Sequence, residues 1–326
     1  MNTNHKKKAF VTGASGFIGN ALVAQLIGEG YGVKVLTRKI DHQFNSQVEL
    51  VYGDLISETL NLNRVLLDCD LIFHCAGQLK GDENMRQLHV EGTAKLLVSA
   101  LRSSAKTGRP VHWVQLSSVG TYGQAKPVNS KRNVTEKTLE NPSGEYETTK
   151  TEADKLVISM ASNLMSYTIL RPSNVVGPQM NNQSFRALLL TIKKNLFFFI
   201  GSREAVATYV HINDVVEALI LCSKNEKAKN EIFNLSNDCL FSEIILRVSA
   251  LFGHSAKRLC ISEPLIRFII RCIPRFINFP LTNARVDSLV SRTQYSNKKL
   301  KEMLGFQPKH SIPDFAIQYI KDSVEQ

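Results

Sequence analysis

The sequence lacks the features that mark membrane-spanning, secreted or metal-binding proteins. No apolar run reaches the roughly 18–20 residues that a spanning helix needs. The segment Met1–Lys8 is polar and basic, without the apolar stretch of a signal peptide, so we expect no secretion. The six cysteines form no CxxC pair and show no metal-ligand spacing, and most, such as Cys75, lie in apolar surroundings. These absences predict a cytoplasmic protein with no metal site and with reduced cysteines in its core.

Charge and composition exclude further classes. The chain carries 40 Lys and Arg against 29 Asp and Glu, for a net charge of +11. The basic residues are scattered and no aromatic-plus-basic motif accompanies them, so we expect no nucleic-acid partner. An anionic small-molecule ligand explains the positive sign equally well. With 43% hydrophobic residues over 326 positions and no repeats, the chain is typical of one large globular domain or two modest ones.

Strand-like and helix-like segments alternate over the first 120 residues. Helices are predicted between them at Gly16–Gly30, Leu60–Leu67 and Met85–Ser104. Such alternation predicts βαβ units and a doubly wound parallel sheet. The predicted strands are Ala9–Thr12, Gly32–Leu36, Val48–Tyr52, Asp70–His74 and Val111–Leu116.

A glycine-rich turn, TGASGFIG, joins the first predicted strand to the first helix. Gly13 permits a tight turn, Gly16 lets the backbone approach a pyrophosphate, and Gly19 lets the helix pack close to the sheet. Phosphates bound there meet free N–H groups and the positive end of the helix dipole. The turn predicts an α/β Rossmann fold that binds a dinucleotide through Gly13, Ser15, Gly16, Phe17, Ile18 and Gly19.

The GxxGxxG spacing of this turn resembles that of the extended short-chain dehydrogenase/reductases, the NAD(P)-dependent sugar epimerase and dehydratase group. Similar segments cover most of the chain. The resemblance implies that Asp54 contacts the adenine with Leu55 beside it, and that Ala76 and Gly77 of the HCAG segment line the cofactor. It also implies that the backbone at Pro172, in RPSNVVGP, faces the nicotinamide.

The residues after the second predicted strand bear on the choice of cofactor. An acid at this position would hold the ribose hydroxyls of NAD, but the sequence has Thr37-Arg38-Lys39 with no acid before Asp41. A guanidinium can pair bidentately with the 2′-phosphate of NADP. Arg38 therefore favours NADP(H), while NAD(H) stays possible if Arg38 only stacks on the adenine.

The later part of the chain predicts a second, smaller domain. A helix at Gly144–Ser162 and a strand at Tyr167–Leu170 precede the loss of regular alternation after Pro178. A strand and helix at Tyr209–Cys222 and a strand at Glu231–Leu235 then lead back to the first domain, and the remainder of the chain is predicted to be helix and loop. We expect residues 1–178, with 208–236, to form the dinucleotide-binding domain. Residues 179–207 and 237–326 are expected to be mainly an interleaved C-terminal α/β substrate domain.

Tyr146 and Lys150 form a YxxxK pair, which places both side chains on one face of a helix. A tyrosine with a pKa of about 10 is a poor base near neutral pH, and a neighbouring cation lowers that pKa. Leu116–Gly123 follows the fifth strand, at the edge where open α/β sheets bind ligands. This run resembles the SSxxxYG segment of the family, which implies that Ser118 is the catalytic hydroxyl, with Ser117 the next candidate. Hydride would then move between substrate and nicotinamide while Tyr146 moves the proton.

The resemblance also implies substrate contacts. Asn174 and Arg285 lie where sugar-nucleotide enzymes of the family bind the substrate, which suits a diphosphate. The expected substrate is therefore a UDP-linked sugar that reacts at C4. The sequence departs from the family at His89, where asparagine is usual, which is expected to alter hydrogen bonds on the cofactor side. His211, in YVHINDV, is expected to be structural.

Three questions of function stay open in the sequence. No acidic pair follows Ser118, which argues against a dehydratase, and the NADP(H) interpretation favours a reductase over an epimerase. A ketone reductase similar to steroid dehydrogenases or dihydroflavonol reductases is the alternative. A non-enzymatic NADP(H)-binding regulator is disfavoured, because Tyr146 and Lys150 are both present.

Two segments bear on assembly and on membranes. In Leu265–Phe276, arginines recur every four residues along an otherwise apolar helix. This pattern suits either an interfacial membrane helix or a helix packed over the substrate pocket. The family commonly forms homodimers through two long helices, which here would be Met85–Ser104 and Gly144–Ser162.

Overall fold

The computed structural model describes residues 6–40, 43–79, 84–180, 182–255, 259–273 and 281–322. Its strands are β1 Lys8–Thr12, β2 Gly32–Thr37, β3 Val48–Tyr52, β4 Leu71–His74, β5 Val111–Leu116, β6 Lys131–Val134, β7 Met165–Pro172, β8 Asn174–Val176, β9 Phe199–Ile200, β10 Val206–Ala207, β11 Tyr209–His211, β12 Glu231–Leu235, β13 Cys239–Leu240, β14 Cys260–Ile261 and β15 Arg292–Tyr295. Its α-helices are α1 Phe17–Gly28, α2 Leu62–Val65, α3 Thr93–Thr107, α4 Glu145–Ser159, α5 Gln183–Lys193, α6 Ile212–Lys224, α7 Phe241–Leu251, α8 Glu263–Cys272, α9 Asn283–Val290, α10 Lys298–Leu304 and α11 Ile312–Asp322.

A seven-stranded sheet lies at the centre, in the order β12-β7-β5-β4-β1-β2-β3, and every neighbouring pair is parallel. Its central strands are buried on both faces, which parallel sheets achieve by covering each face with helices. The predicted Rossmann-type doubly wound sheet is confirmed. The carboxyl ends of its strands meet at one edge, which positions the candidate site.

The two faces of the sheet bury separate apolar cores. Because side chains alternate along a strand, β1 points Val11 toward one core and Phe10 toward the other. The first core includes Leu22 of α1 and Leu219 of α6. The second includes Leu96 of α3 and residues of α2 and α4.

The C-terminal part has a core of its own, formed by α5, α7 and α11 around residues such as Phe185. Phe17, at the start of α1, packs against both this core and the core of the sheet. A smaller cluster joins α8 to α9 through Ile266 and Val286. None of the helices in the described ranges is long and apolar enough to cross a membrane.

Three expectations need correction. The predicted helix Met85–Ser104 is interrupted, because residues 87–92 form a π-helical turn before α3 begins at Thr93. Short strands follow residue 235, where only helix and loop were expected. Cysteines do not all belong to the core, since Cys260 and Cys272 are exposed. Of the basic apolar segment, α8 covers the part up to Cys272, and residues 274–276 lie outside the described residues.

Candidate active site

The glycine-rich turn is built so that only glycine fits its key positions. Gly13 has a positive φ of 68°, and a Cβ there would lie 2.7 Å from the backbone nitrogen of Ala76. A Cβ at Gly19 would overlap the carbonyl of Gly13, so α1 packs directly against the turn. The first hydrogen bond within α1 runs from the N–H of Asn20 to the carbonyl of Gly16. The amides of Phe17, Ile18 and Gly19 therefore have no acceptor within the helix, as an anion cradle requires, whereas the Gly16 N–H donates to the Gly13 carbonyl at 2.9 Å.

The other predicted residues of the turn surround this helix start. Phe17 and Ile18 are the first residues of α1, and Ser15, only partly buried, precedes them. The ring of Phe17 lies against Gly177, where an added Cβ would come within 3.2 Å of Cζ. The turn is thus held between β1 and the loop that follows β7 and β8.

A directional chain of hydrogen bonds fixes the loop after β4, which contains the predicted cofactor residue Ala76. The Ala76 N–H donates to Thr12 Oγ1 at 3.3 Å, and Thr12 Oγ1 lies 2.7 Å from His74 Nδ1. His74 Nε2 lies 2.9 Å from Thr93 Oγ1, which itself donates to the carbonyl of His89. Since Thr93 uses its proton there, the His74 proton is on Nε2. Burial lowers the pKa of His74 well below its usual value, so the imidazole is neutral.

The predicted adenine-side residues lie at the ends of β2 and β3. Arg38 is largely exposed, and its Nη1 lies 3.3 Å from Asp54 Oδ2. Leu55 is buried in the core and packs against Gly92, where an added Cβ would come within 3.1 Å of its side chain. Any contact of Leu55 with a cofactor would therefore involve its backbone.

The three predicted catalytic residues meet at the carboxyl end of β5. Ser118 follows that strand and accepts a hydrogen bond from the Gly120 N–H at 3.1 Å. The Ser118 hydroxyl also lies close enough to the phenol of Tyr146 to oppose the rise in its pKa. Lys150, one turn later on α4, is buried and donates to the Leu116 carbonyl at 2.5 Å. The helical spacing of the YxxxK pair and the end of β5 thus bring the three side chains to one edge of the sheet.

The pKa of Tyr146 moves opposite to the expectation from the sequence. Burial raises it to about 12, the negative charges of Glu147 and Asp154 add to the increase, and the Ser118 hydroxyl opposes it. The Lys150 ammonium instead points to the Leu116 carbonyl. Burial has the opposite effect on Lys150 and lowers its pKa, although the charge of Asp154 opposes this decrease. In the protein without cofactor, Tyr146 is therefore a protonated phenol at neutral pH.

A buried polar network behind this site was not predicted from the sequence. Asp154 is fully buried and accepts from Ser117 Oγ at 2.7 Å and from Arg171 Nε at 3.1 Å. The buried guanidinium of Arg171 also donates to the Tyr122 hydroxyl at 3.1 Å and to Glu140 at 2.6 Å. Burial raises the pKa of Asp154, while Arg171 and Ser117 favour its ionised form. Ser117 is thus bonded inward to Asp154.

One sequence signal could have identified Asp154. It follows Lys150 by four residues, which places it on the same face of α4 as Tyr146 and Lys150. A carboxylate on the buried face of a helix requires partners. The partners themselves could not be predicted, because Arg171 and Tyr122 come from distant parts of the chain.

His89 occupies the position at which the sequence departs from the family. It is buried, and its Nε2 accepts from the Gln78 N–H at 2.9 Å, next to Gly77. Its Nδ1 lies 2.8 Å from Thr149 Oγ1, and its ring meets Tyr146 edge to face at a centroid distance of 5.7 Å. Burial lowers the pKa of His89 to about 4. His89 thus connects the loop after β4 with the catalytic helix α4.

The remaining predicted residues are spread over a wider area. Pro172 ends β7, and Asn174 begins β8 with its side-chain amide donating to the Thr208 carbonyl at 3.1 Å. Arg285 is exposed on α9, which packs with α8 instead of with the large sheet. His211 accepts from the Asn213 N–H at 3.3 Å and caps α6, which gives it a structural role.

The fold and the site define a class of protein. A parallel Rossmann sheet, a GxxGxxG turn and a Ser/Tyr/Lys set at the same sheet edge are those of an extended short-chain dehydrogenase/reductase, and the protein is an enzyme of this type. The model of the NAD dependent epimerase/dehydratase family matches residues 9–236. The chain belongs to this family, which sets aside the non-enzymatic alternative.

Individual relatives span nearly the whole chain. A UDP-glucose 4-epimerase of Vibrio cholerae is 26% identical over 94% of this chain and 93% of its own length. The sterol demethylase protein B of Methylococcus capsulatus is 28% identical over 82% of this chain and 84% of its own length. The crystal structure of UDP-glucuronic acid 4-epimerase from Bacillus cereus, in complex with NAD, has a TM-score of 0.72. It is 20% identical and covers 97% of this chain and 99% of its own, so it supports the fold.

Proposed function

We propose that the enzyme transfers hydride between a nicotinamide dinucleotide and the carbon of a secondary alcohol or ketone, with Tyr146 as acid and base. The observation that carries the proposal is the placement of Ser118, Tyr146 and Lys150 at the carboxyl end of β5, where Lys150 donates to the Leu116 carbonyl and the Ser118 hydroxyl acts on the Tyr146 phenol. This edge is where open α/β sheets bind their ligands.

The residues present fit a dinucleotide. A side chain at Gly13 would collide with the backbone of Cys75 and Ala76, and one at Gly19 with the carbonyl of Gly13, so the close approach of the turn to α1 needs both glycines. The amides at the start of α1 suit a pyrophosphate. When bound, the cofactor supplies or accepts the hydride. Ser15, Gly16, Phe17 and Ile18 would hold the phosphates, and Ala76, Gly77, Pro172 and Lys150 the nicotinamide half.

The protonation state of Tyr146 favours the donor role. With a pKa raised to about 12, its phenol carries a proton at neutral pH and can give it to a ketone oxygen. Ser118 would hold that oxygen through its hydroxyl. In the reverse direction, Tyr146 must lose its proton, and Lys150, on the same face of α4, is proposed to stabilise the phenolate. We therefore propose the same three residues for both directions.

The proposed substrate is a UDP-linked sugar that reacts at C4. The support is the length of the match to the Vibrio cholerae UDP-glucose 4-epimerase. The proposed substrate domain comprises residues 179–207 and 237–326, and the dinucleotide domain residues 1–178 with 208–236. Asn174 and Arg285 are the proposed substrate contacts.

For the cofactor, we propose NADP(H) over NAD(H). Arg38 is exposed at the end of β2, where a guanidinium can reach a 2′-phosphate. Its present partner, Asp54, lies at the adjacent strand end and is the proposed adenine contact. A preference for NADP(H), which is released after turnover, favours a reductase over an epimerase.

We also propose a homodimer formed through the exposed faces of α3 and α4. Val98 of α3 and Ile158 of α4 are apolar side chains that remain 37% and 38% exposed on these helices. Within the chain, Arg86, which precedes α3, pairs with Glu152 of α4. Light scattering of the purified protein tests this assembly directly. A monomer at micromolar concentration would overturn it.

The second candidate function is a ketone reductase similar to steroid dehydrogenases or dihydroflavonol reductases. It is favoured by the match to a sterol demethylase protein of Methylococcus capsulatus. Thermal unfolding with NADPH plus either UDP-glucose or a 3-ketosteroid separates the two, because a ligand that binds the native state raises the unfolding temperature. An increase in the unfolding temperature with UDP-glucose, and also with UDP by itself, supports the sugar substrate. An increase with the steroid alone overturns it in favour of the second candidate.

A further inference from the structure

Helix α8 exposes an apolar stripe to solvent. Leu265, Phe268, Ile269 and Cys272 follow the spacing i, i+3, i+4 and i+7, so they share one face of the helix. All four are exposed, and Phe268 is 64% exposed. A large aromatic and two aliphatic side chains on the solvent side of one short helix form a continuous surface, which marks an interaction site. We call these four residues the α8 stripe.

The opposite face of α8 accounts for the packing of the helix. Ile266 is buried and Ile270 partly buried in the cluster with Val286. The charged head of Arg267 is turned toward the protein, where it bonds to Glu263 at 2.9 Å and to Asp287 at 2.6 Å. The helix is therefore attached through one apolar side and one ion-paired arginine. The α8 stripe is not needed for this attachment.

The sequence segment that contains the stripe is basic. From residue 257 to residue 292 it has seven Lys and Arg and two acids. Of the seven cations, Arg267, Arg271, Arg285 and Arg292 belong to the described residues, and Arg292 pairs with Glu204. Both acids, Glu263 and Asp287, are already bonded to Arg267. Arg271 is exposed on the flank of the stripe. The region therefore adds locally to the overall net charge of +11.

We infer that the α8 stripe docks the protein onto an anionic membrane surface. A short helix with one apolar face and basic flanks lies in the bilayer interface, where the apolar side chains enter the acyl boundary and the cations meet anionic headgroups. A second copy of the chain is a poorer occupant, because a symmetric contact would bring two positively charged surfaces together. The inference is independent of the substrate proposed above.

Vesicle binding by the full-length protein tests this inference. We expect the protein to sediment with vesicles of phosphatidylcholine and phosphatidylglycerol at low salt, and at least tenfold less with phosphatidylcholine alone. The double variant Leu265→Ser, Phe268→Ser should lose binding at least tenfold. The control is Leu139→Ser, Leu246→Ser, which changes two exposed leucines on other surfaces and should bind normally. Arg271→Glu should also weaken binding to anionic vesicles. Because this variant leaves the stripe intact, it provides a second test if the double variant is unstable.

A fluorescence measurement provides a readout in a nearly unchanged protein. The sequence has one tryptophan, Trp113, which is fully buried. In Phe268→Trp, a blue shift on addition of anionic vesicles would report insertion of the stripe. The inference is overturned if no vesicle binds, if the double variant binds as well as the control, or if the double variant only converts a dimer into a monomer.

Discussion

His89 Nδ1 lies 2.8 Å from Thr149 Oγ1, and this contact joins the cofactor side of the site to the catalytic helix. The Gln78 N–H donates to His89 Nε2, so the imidazole proton is on Nδ1, which donates a hydrogen bond to Thr149 Oγ1. Thr149 in turn donates to the Glu145 carbonyl. The neutral ring thereby fixes the loop after β4 relative to α4, one residue from Lys150.

We expect His89 and Thr149 to act as one unit. The variants His89→Ala and Thr149→Ala should each lower kcat about tenfold, with a much smaller change in KM, because each detaches the loop after β4 from α4. The double variant should be no worse than His89→Ala, with a coupling energy of about 1 kcal/mol or more in a double-mutant cycle.

A buried histidine elsewhere provides the control for this cycle. His112 bonds to Ser166 at the other end of β5, so His112→Asn should lower stability without changing kcat. His89→Asn should recover part of the lost rate, because an amide can still accept from the Gln78 N–H. Additive losses in the double variant would contradict the coupling.

The Asp154–Arg171 pair is expected to be a large contributor to stability. Asp154→Asn removes the buried charge partner of Arg171 and leaves only the partly exposed Glu140, and breaking such a buried pair costs about 3–5 kcal/mol of unfolding free energy. Because the Asp154 charge also acts on Lys150, kcat should fall too. Glu140→Gln is the matched control, since this partner of Arg171 is partly exposed and its loss should cost less than about 1 kcal/mol. Urea unfolding measures the loss of unfolding free energy in both variants. Equal losses would contradict the larger contribution of the Asp154–Arg171 pair.

The parts of the site that depend on local spacing were predictable, and those that depend on distant packing were not. The glycine turn and the YxxxK pair are each short runs attached to a strand or helix, so their positions followed from the sequence. The Asp154 network joins residues up to 112 positions apart, as in the bond from Tyr122 to Asn234. The predicted direction of the Tyr146 pKa was wrong because burial raises it and Lys150 bonds to the Leu116 carbonyl instead, neither of which can be judged from spacing.

The same distinction applies to α8. The recurrence of Arg267 and Arg271 predicted an amphipathic helix, and the structure contains one. Which side faces outward depends on Glu263 and Asp287, and Asp287 lies on another helix. The exposed apolar side therefore became visible only in the folded chain.

Arg38 is expected to determine the preference for NADP(H). Removing its side chain in Arg38→Ala should raise the KM for NADPH about tenfold to a hundredfold, in line with a charge-assisted hydrogen-bonded pair worth about 1.5–3 kcal/mol. The KM for NADH should change less than twofold. The neighbouring Lys39→Ala is the control. Equal effects on the two cofactors would show that Arg38 does not contact the 2′-phosphate.

Stability should fall when the pH decreases from 6.5 to 4. Burial lowers the pKa of His89, His112 and His211 to about 4. It also lowers the pKa of His74 well below the usual value. In this window the unfolded chain binds protons that the native protein does not, so protonation favours unfolding. The free energy of unfolding should be highest above pH 6.5, and His89→Asn should flatten its slope below that pH. An unchanged slope in this variant would contradict the neutral assignment of His89.

The central claim is tested most directly by single-turnover oxidation of bound NADPH in wild type and Tyr146→Phe. Both proteins should bind NADPH with similar affinity, because the phenylalanine keeps the ring and removes only the hydroxyl. With a UDP-linked 4-keto sugar in excess, nicotinamide absorbance at 340 nm should decay in the wild type. In the variant it should decay at least a hundredfold more slowly, as expected for loss of a general acid. If the variant bound NADPH normally and oxidised it at the wild-type rate, Tyr146 would not be the proton donor and the proposed chemistry would be wrong.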